Sequence, residues 1–445
     1  MAQAEILEFP RLSERSVRLR VADVLSRSIF GAMASLLVLT AVPYGTAEFW
    51  WKSAFVSAVF IIFVVAIIEW LLRGDQKVGE VSVWLPVLSL SVLGFLQTTR
   101  TLSADPYATR FVVLQLLALT ACLILLYRYV NTESRLRWLV YFVIGVAVAS
   151  AIYGILRQTM QHSPGFLLPK IKPQQGYGQF VNKNHFALLQ EMAFGLGLGM
   201  MLAGAIKRER VLLLVALLLP IWTGLVLSNS RGGILAMLAQ VVAVGLLLAS
   251  LKEPGIGMLN SMSLRLGLVA VLSAVVLLGV FWIGGDALVG SLDSASSEIR
   301  VNADGLRQGV TRNEIWRATG KMFQAHPMLG VGLGGYWVAI TTYHDASGTM
   351  TPQEAHNDYL ELLSSGGLVG FALGVWFVVA VVRRALKNLR SSNRFCRAVC
   401  FGAVIGLCGV AMHSLVDFGL HMMVNALLFM TLVMMATARI ERESS

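Results

Sequence analysis

The chain has 445 residues, 56% of them hydrophobic and only 14% charged. Soluble domains carry about a quarter charged residues, and here about twelve apolar runs of roughly 20 residues use more than half of the chain. A sizeable soluble domain is thereby excluded, and the net charge of +11 is distributed as a topology signal rather than as a nucleic-acid surface.

In chain order the apolar runs lie near 28–47, 53–72, 81–98, 109–129, 136–156, 185–206, 211–228, 233–251, 264–284, 365–382, 398–414 and 423–438. Each is long enough to cross ~30 Å of hydrocarbon as a helix. The expected fold is all-α: a polytopic membrane protein of about twelve transmembrane helices with one large, partly helical outer loop. With the N-terminus inside, the inner segments hold 23 of the 36 Lys and Arg. They include Arg73, Arg128, Arg135, Arg137, Arg384, Arg394 and Arg439. Every short inner loop is basic, as the positive-inside rule requires, so both termini are read as cytoplasmic. The basic N-terminus is followed by no small-residue cleavage site, and no removable signal peptide is expected.

Three regions follow from this order. Residues 1–284 carry spans one to nine. Residues 285–364 form the large outer loop, and 365–445 carry spans ten to twelve. The four cysteines, Cys122, Cys396, Cys400 and Cys408, fall in spans or on the inner side and read as packing residues. Within the large loop, Thr311-Arg312-Asn313-Glu314 reads as a capping box opening a helix that runs to His326-Pro327. Thr351-Pro352-Gln353-Glu354 reads as a second, with proline at the first helical position. That places His356 about one turn into a polar helix continuing into the tenth span.

Several polar groups stand at the outer end. Gly330-Val331-Gly332-Leu333-Gly334-Gly335 formally matches a dinucleotide fingerprint, but no strand precedes it, and it reads as a tight turn packed on the membrane. His413, Asp417 and His421 recur every fourth residue and would share one helix face. They suit either a metal or a polar cavity lining, and Gly419 argues for a break between them. Arg231, in Ser230-Arg231-Gly232, is costly at that depth unless it pairs or meets water, and its planar fork suits phosphate oxygens. Arg312, Arg317 and Lys321 lie on the first loop helix, where solvation and anion binding are both open. Asn184, in Asn182-Lys183-Asn184-His185, either caps the sixth span or bonds a sugar or phosphate. Glu191, two turns deeper, is expected to pair inside the bundle. His356 is the strongest candidate for a general base, a role that needs a neutral imidazole.

His356-Asn357, then nine residues, Gly367, two residues and Gly370 resemble the characteristic segment of the bacterial O-antigen ligase and polysaccharide polymerase family. These multi-span enzymes are similar in architecture to GT-C glycosyltransferases. Pro327 to Gly332, the Asn182/Asn184 pair and Ser230-Arg231-Gly232 also look like this family, and the resemblance covers roughly residues 175–425. It implies a glycan donor on undecaprenyl pyrophosphate, presented at the periplasmic face of the bacterial inner membrane. The acceptor would be a lipid A-core sugar, for a ligase, or another repeat unit, for a polymerase. His356 would be the base and Arg231 part of the pyrophosphate clamp. Arg312 and Arg317 join that clamp by position, and Asn184, Asn357 and Asp417 are candidate glycan contacts. No cofactor, no metal and no nucleic-acid partner is expected. The competing class is a lipid-linked glycan transporter or flippase, which would place its charges near the midplane and show two related halves.

Overall fold

The computed structural model describes residues 14–42, 44–75, 79–98, 102–160, 176–204, 206–250, 312–344 and 352–440, with scattered positions at 267–278 and two short strands between 300 and 308. Among these residues the chain forms thirteen α-helices. They are α1 (Glu14–Ala41), α2 (Phe49–Arg73), α3 (Val81–Gln97), α4 (Pro106–Tyr129), α5 (Glu133–Thr159), α6 (Lys183–Leu202), α7 (Arg208–Leu227), α8 (Arg231–Ser250), α9 (Arg312–Ala325), α10 (Tyr336–Tyr343), α11 (Asp358–Asn388), α12 (Arg394–His413) and α13 (Met423–Thr437). Nine are long and apolar enough to cross a membrane, and α3 and α13 are shorter apolar helices. These eleven match the expected spans; the run at 264–284 lies almost wholly outside the described residues. Among the described residues the fold is all-α apart from one short antiparallel pair, Arg300–Val301 with Arg307–Gln308, and an isolated bridge between Tyr177 and Phe180.

Local chemistry sets several helix starts. Asp105, Thr132, Asn182, Asn357 and Asn393 each accept a backbone N–H of the first turn of α4, α5, α6, α11 and α12, satisfying donors that a helix cannot satisfy itself. The second predicted capping box does not form. Residues 352–357 are non-helical, and α11 begins at Asp358 behind the Asn357 cap. Glu354 turns to His421, 3.4 Å away, instead of folding back as a cap.

The centre of the bundle is the crossing of α6 and α12. Gly195 and Gly199 face Gly406 and Gly402. A Cβ on Gly195 would lie 2.7 Å from the Gly406 backbone, and one on Gly199 would lie 2.4 Å from that of Gly402. Two small-xxx-small stripes thus let the helices touch backbone to backbone, the usual basis of close helix packing in lipid. One helical turn before Gly195, the same crossing brings Glu191 against His413.

The helix α11 is broken at Gly367 (φ 64°, ψ −165°). The break frees two carbonyls and two N–H groups, which hydrocarbon cannot satisfy. The stretch 327–332 takes all four: Val331 N donates to Ser364 O (3.1 Å), Gly332 N to Ser365 O (3.0 Å), Leu368 N to Pro327 O (2.8 Å) and Val369 N to Met328 O (3.2 Å). Gln97 of α3 adds a bond to Ser365 O (2.9 Å) and receives Leu333 N (3.1 Å). The glycine-rich run is therefore a turn packed on the bundle, as its context predicts.

Candidate active site

Asp417 is the centre of one end of the bundle. The helix α12 stops at His413, and a turn follows before the short 3-10 stretch Gly419–His421. The expected helical row of His413, Asp417 and His421 is therefore broken. His413 stays beside Asp417, with Nε2 3.9 Å from Oδ2, while His421 belongs to a second cluster. Asp417 is fully buried and ringed by three histidines: His356 Nδ1 at 3.5 Å, His185 Nε2 at 3.8 Å and His413 Nε2 at 3.9 Å. Neither carboxylate oxygen makes a hydrogen bond of good geometry. Burial pushes this carboxyl up, but contact with His356 and the charges of His185 and His413 outweigh it and hold it below the ordinary carboxylate range. Asp417, a candidate glycan contact by sequence, faces three imidazoles in this structure.

His356 does not sit in a helix. It stands one residue before the Asn357 cap with φ +50°, a left-handed conformation that costs a non-glycine residue and clusters at functional sites. Its ring packs edge-on against Phe418, centroids 4.9 Å apart. Nδ1 points inward to Asp417, and the side chain is 35% exposed, so the ring bridges the buried centre and the outside. The backbone on both sides is tied down. Ala355 N donates to Glu361 Oε2 (2.9 Å), Asp358 N to Ser414 O (3.0 Å), and Trp316 Nε1 of α9 to Ala355 O (3.0 Å).

Arg231 opens α8, exposed, directly after Ser230 and Asn229, the latter also at positive φ (54°). Ser230 Oγ donates to Asn184 Oδ1 (2.8 Å), locking the starts of α6 and α8 together. Asn184 is thereby tied to the start of α8, and the cap of α6 is Asn182. Gly232 lies against His413, and a Cβ there would stand 2.9 Å from Nε2. Arg231 is thus one residue from the histidine cluster, and Lys183 is near enough to feel its charge. Arg317 is exposed and Arg312 half-buried on α9, next to the Trp316 anchor at Ala355. The Asn357 side chain is engaged locally: Oδ1 caps α11 and Nδ2 donates to Leu415 O (2.9 Å).

A second ionic cluster lies across Phe418. His421 faces Glu354 (3.4 Å) through Nδ1, and Glu361 (3.4 Å) and Asp358 (3.9 Å) through Nε2. Burial lowers His421, but Glu354 and then Glu361 override it and hold its imidazolium up to about 10. Burial would raise Glu354, and His421 instead pulls it down to about 2. Glu354, Glu361 and His421 are the group with metal-ligand spacing among the described residues, their ligand atoms lying within 4.8 Å of one another. With carboxylates at both ring nitrogens, the imidazolium is itself the cation that balances them.

Fold and site together define a multi-span membrane protein with a buried acid–histidine centre at one end of its bundle. Residues 212–375 match the family model described as O-antigen ligase, so over this stretch the chain is similar to that family, and the match indicates a membrane enzyme that transfers a lipid-linked glycan. The matched stretch includes Arg231, Arg312, Arg317, His356 and Asn357; Asn184 and Asp417 lie beyond it. No curated protein matches the chain.

Proposed function

We propose that this protein transfers a glycan from undecaprenyl pyrophosphate to an acceptor sugar hydroxyl at the periplasmic face of the bacterial inner membrane. The observation that carries the reading is His356, held at positive φ with Nδ1 against buried Asp417 and one edge open, inside the stretch that matches the O-antigen ligase model. With the proton on Nδ1 facing Asp417, the Nε2 lone pair is left for the acceptor, the arrangement a carboxylate imposes on a catalytic imidazole. Nε2 takes the hydroxyl proton. The hydroxyl oxygen bonds the anomeric carbon from the face opposite the diphosphate, and the bond to the diphosphate breaks with its electron pair. The configuration inverts. Negative charge grows on the departing diphosphate, so a fixed cation there lowers the barrier more than it aids ground-state binding. Arg231, with Arg312 and Arg317, fills that role, and the reaction runs without metal.

Residues 285–364 act as the loop that selects the acceptor, between the spans of 1–284 and 365–445. The clustering of polar groups at one end, rather than at the midplane, favours this reading over a transporter. The test is glycan transfer in proteoliposomes from an undecaprenyl-pyrophosphate glycan to lipid A-core or to a second repeat unit. Transfer to the first alone makes the protein a ligase, and to the second alone a polymerase. Turnover should withstand EDTA; loss of turnover restored by one metal would overturn the metal-free mechanism, and no transfer to either acceptor would overturn the assignment.

A further inference from the structure

The acid–histidine centre continues into the bundle. His413 Nδ1 lies 3.0 Å from Glu191 Oε2, and both residues are fully buried. Ionisable groups inside a membrane bundle are expensive and are kept where they act. A pair retained only for packing would close its hydrogen bonds on itself. Here Glu191 Oε1, His413 Nε2 and both oxygens of Asp417 are buried without a hydrogen-bond partner, and a chain of close contacts links Glu191 to His356. The order is Glu191 Oε2 to His413 Nδ1 (3.0 Å), His413 Nε2 to Asp417 Oδ2 (3.9 Å), then Asp417 Oδ1 to His356 Nδ1 (3.5 Å).

The charged neighbours from every element packed here can be named. The α6 helix adds His185, beside the same Asp417 oxygen. The α11 helix adds Asp358, which accepts the Ser414 hydroxyl (2.7 Å). The α8 helix adds Gly232 against the His413 ring, with exposed Arg231 next to it. His421 stands across Phe418.

We propose that Glu191 and His413 are positioning residues for His356: the Glu191 carboxylate holds His413 as the cation that balances Asp417, and Asp417 so balanced fixes the ring orientation and proton position of His356. This rests on the reading of His356 as the base. No proton leaves Glu191 or His413 in the cycle. The proton taken from the acceptor hydroxyl resides on His356 Nε2 and is released outward, so no co-reactant is needed. The glycine crossing of α6 and α12 supplies the rigidity, because it fixes the distance between Glu191 and His413 from within the membrane.

The test is kcat/KM against pH in proteoliposomes for the wild type, E191Q, E191D, H413Q and H356A. Without the His413 charge, the negative charge of Asp417 is no longer offset, and the proton on the neighbouring imidazole is held more tightly. E191Q and H413Q should therefore move the acid limb of the profile to higher pH by about one unit, with activity near neutrality down about tenfold and recovering at higher pH. E191D, which keeps the charge, should restore the wild-type limb. A uniform loss with an unmoved limb in E191Q and H413Q would mean a packing role and overturn the proposal. If H413Q is not monodisperse, E191Q against E191D decides in the same way. Retained turnover in H356A would instead overturn the base assignment beneath it.

Discussion

Glu69 and Asp417 are both buried carboxylates in the same bundle, at opposite ends, and their surroundings differ in kind. Glu69, near the end of α2, accepts from Arg73 Nε (2.5 Å), Arg128 Nη2 (3.2 Å) and the Tyr129 hydroxyl (2.9 Å). Arg73 goes on to Asp23 (2.9 Å). Every charge there has a partner at bonding distance, which is what a buried ion network needs to hold a structure together. Asp417 has three histidines at 3.5–3.9 Å and no well-formed hydrogen bond. Lys52, at the start of the same α2, senses Glu354, so about 25 Å of helix separates the two ends. The first end is saturated with hydrogen bonds, and the second is not.

That contrast can be broken by substitution. H356A should lower transfer by about 10³-fold, the scale of a lost general base, and R231A by about 10²-fold, the scale of a lost charge stabiliser. Both should keep the wild-type melting temperature in detergent. A turnover change below tenfold in H356A would remove the distinction between the ends.

Glu69→Ala should do the reverse. It removes the buried carboxylate shared by Arg73, the nearly buried Arg128 and Tyr129 and should cost about 3 kcal/mol of stability, read as a lower unfolding midpoint. Turnover per folded molecule should be unchanged. Equal loss of activity per folded molecule would show that the two ends are coupled.

The smallest effect sharpens the comparison within the Asp417 end. His421 is raised from 6.5 to about 10 and Glu354 lowered from 4.5 to about 2, each by the other after burial is overcome. A raised histidine stabilises fully below its unfolded value and loses that contribution as pH climbs through its folded one. A depressed carboxylate does the opposite. The melting-temperature difference between wild type and H421Q should therefore be greatest at about pH 4.5–6.5. It should shrink towards pH 10 and towards pH 2. A difference independent of pH would mean that His421 acts by packing alone.

Hydropathy and loop charge made the spans legible, because both are read one segment at a time; α3 to α8 and α11 to α13 fall where the apolar runs place them. Arg73, Arg128 and Arg135 gather at one end of the bundle. Chemistry set by distant partners was not legible in the same way. The Thr351–Glu354 pattern has the letters of a capping box, but Glu354 finds His421 and the helix waits for Asn357. Asn184 is claimed by Ser230, 46 residues on. The Glu191–His413 pair spans 222 positions. The sequence marks Glu191 as a group that pairs inside the bundle but not its partner; the matching glycine spacing, Gly195/Gly199 and Gly402/Gly406, marks two helices able to touch.

The interruption of α11 at Gly367 has a mechanical corollary. Because the four main-chain groups released there are all claimed by 327–332, the segment 358–366 cannot swing about the glycine without tearing a ladder in a solvent that offers no replacement bonds. What looks like a hinge is a weld. The shelf that carries His356 therefore stays put, and any opening beside it must come from elements outside this joint.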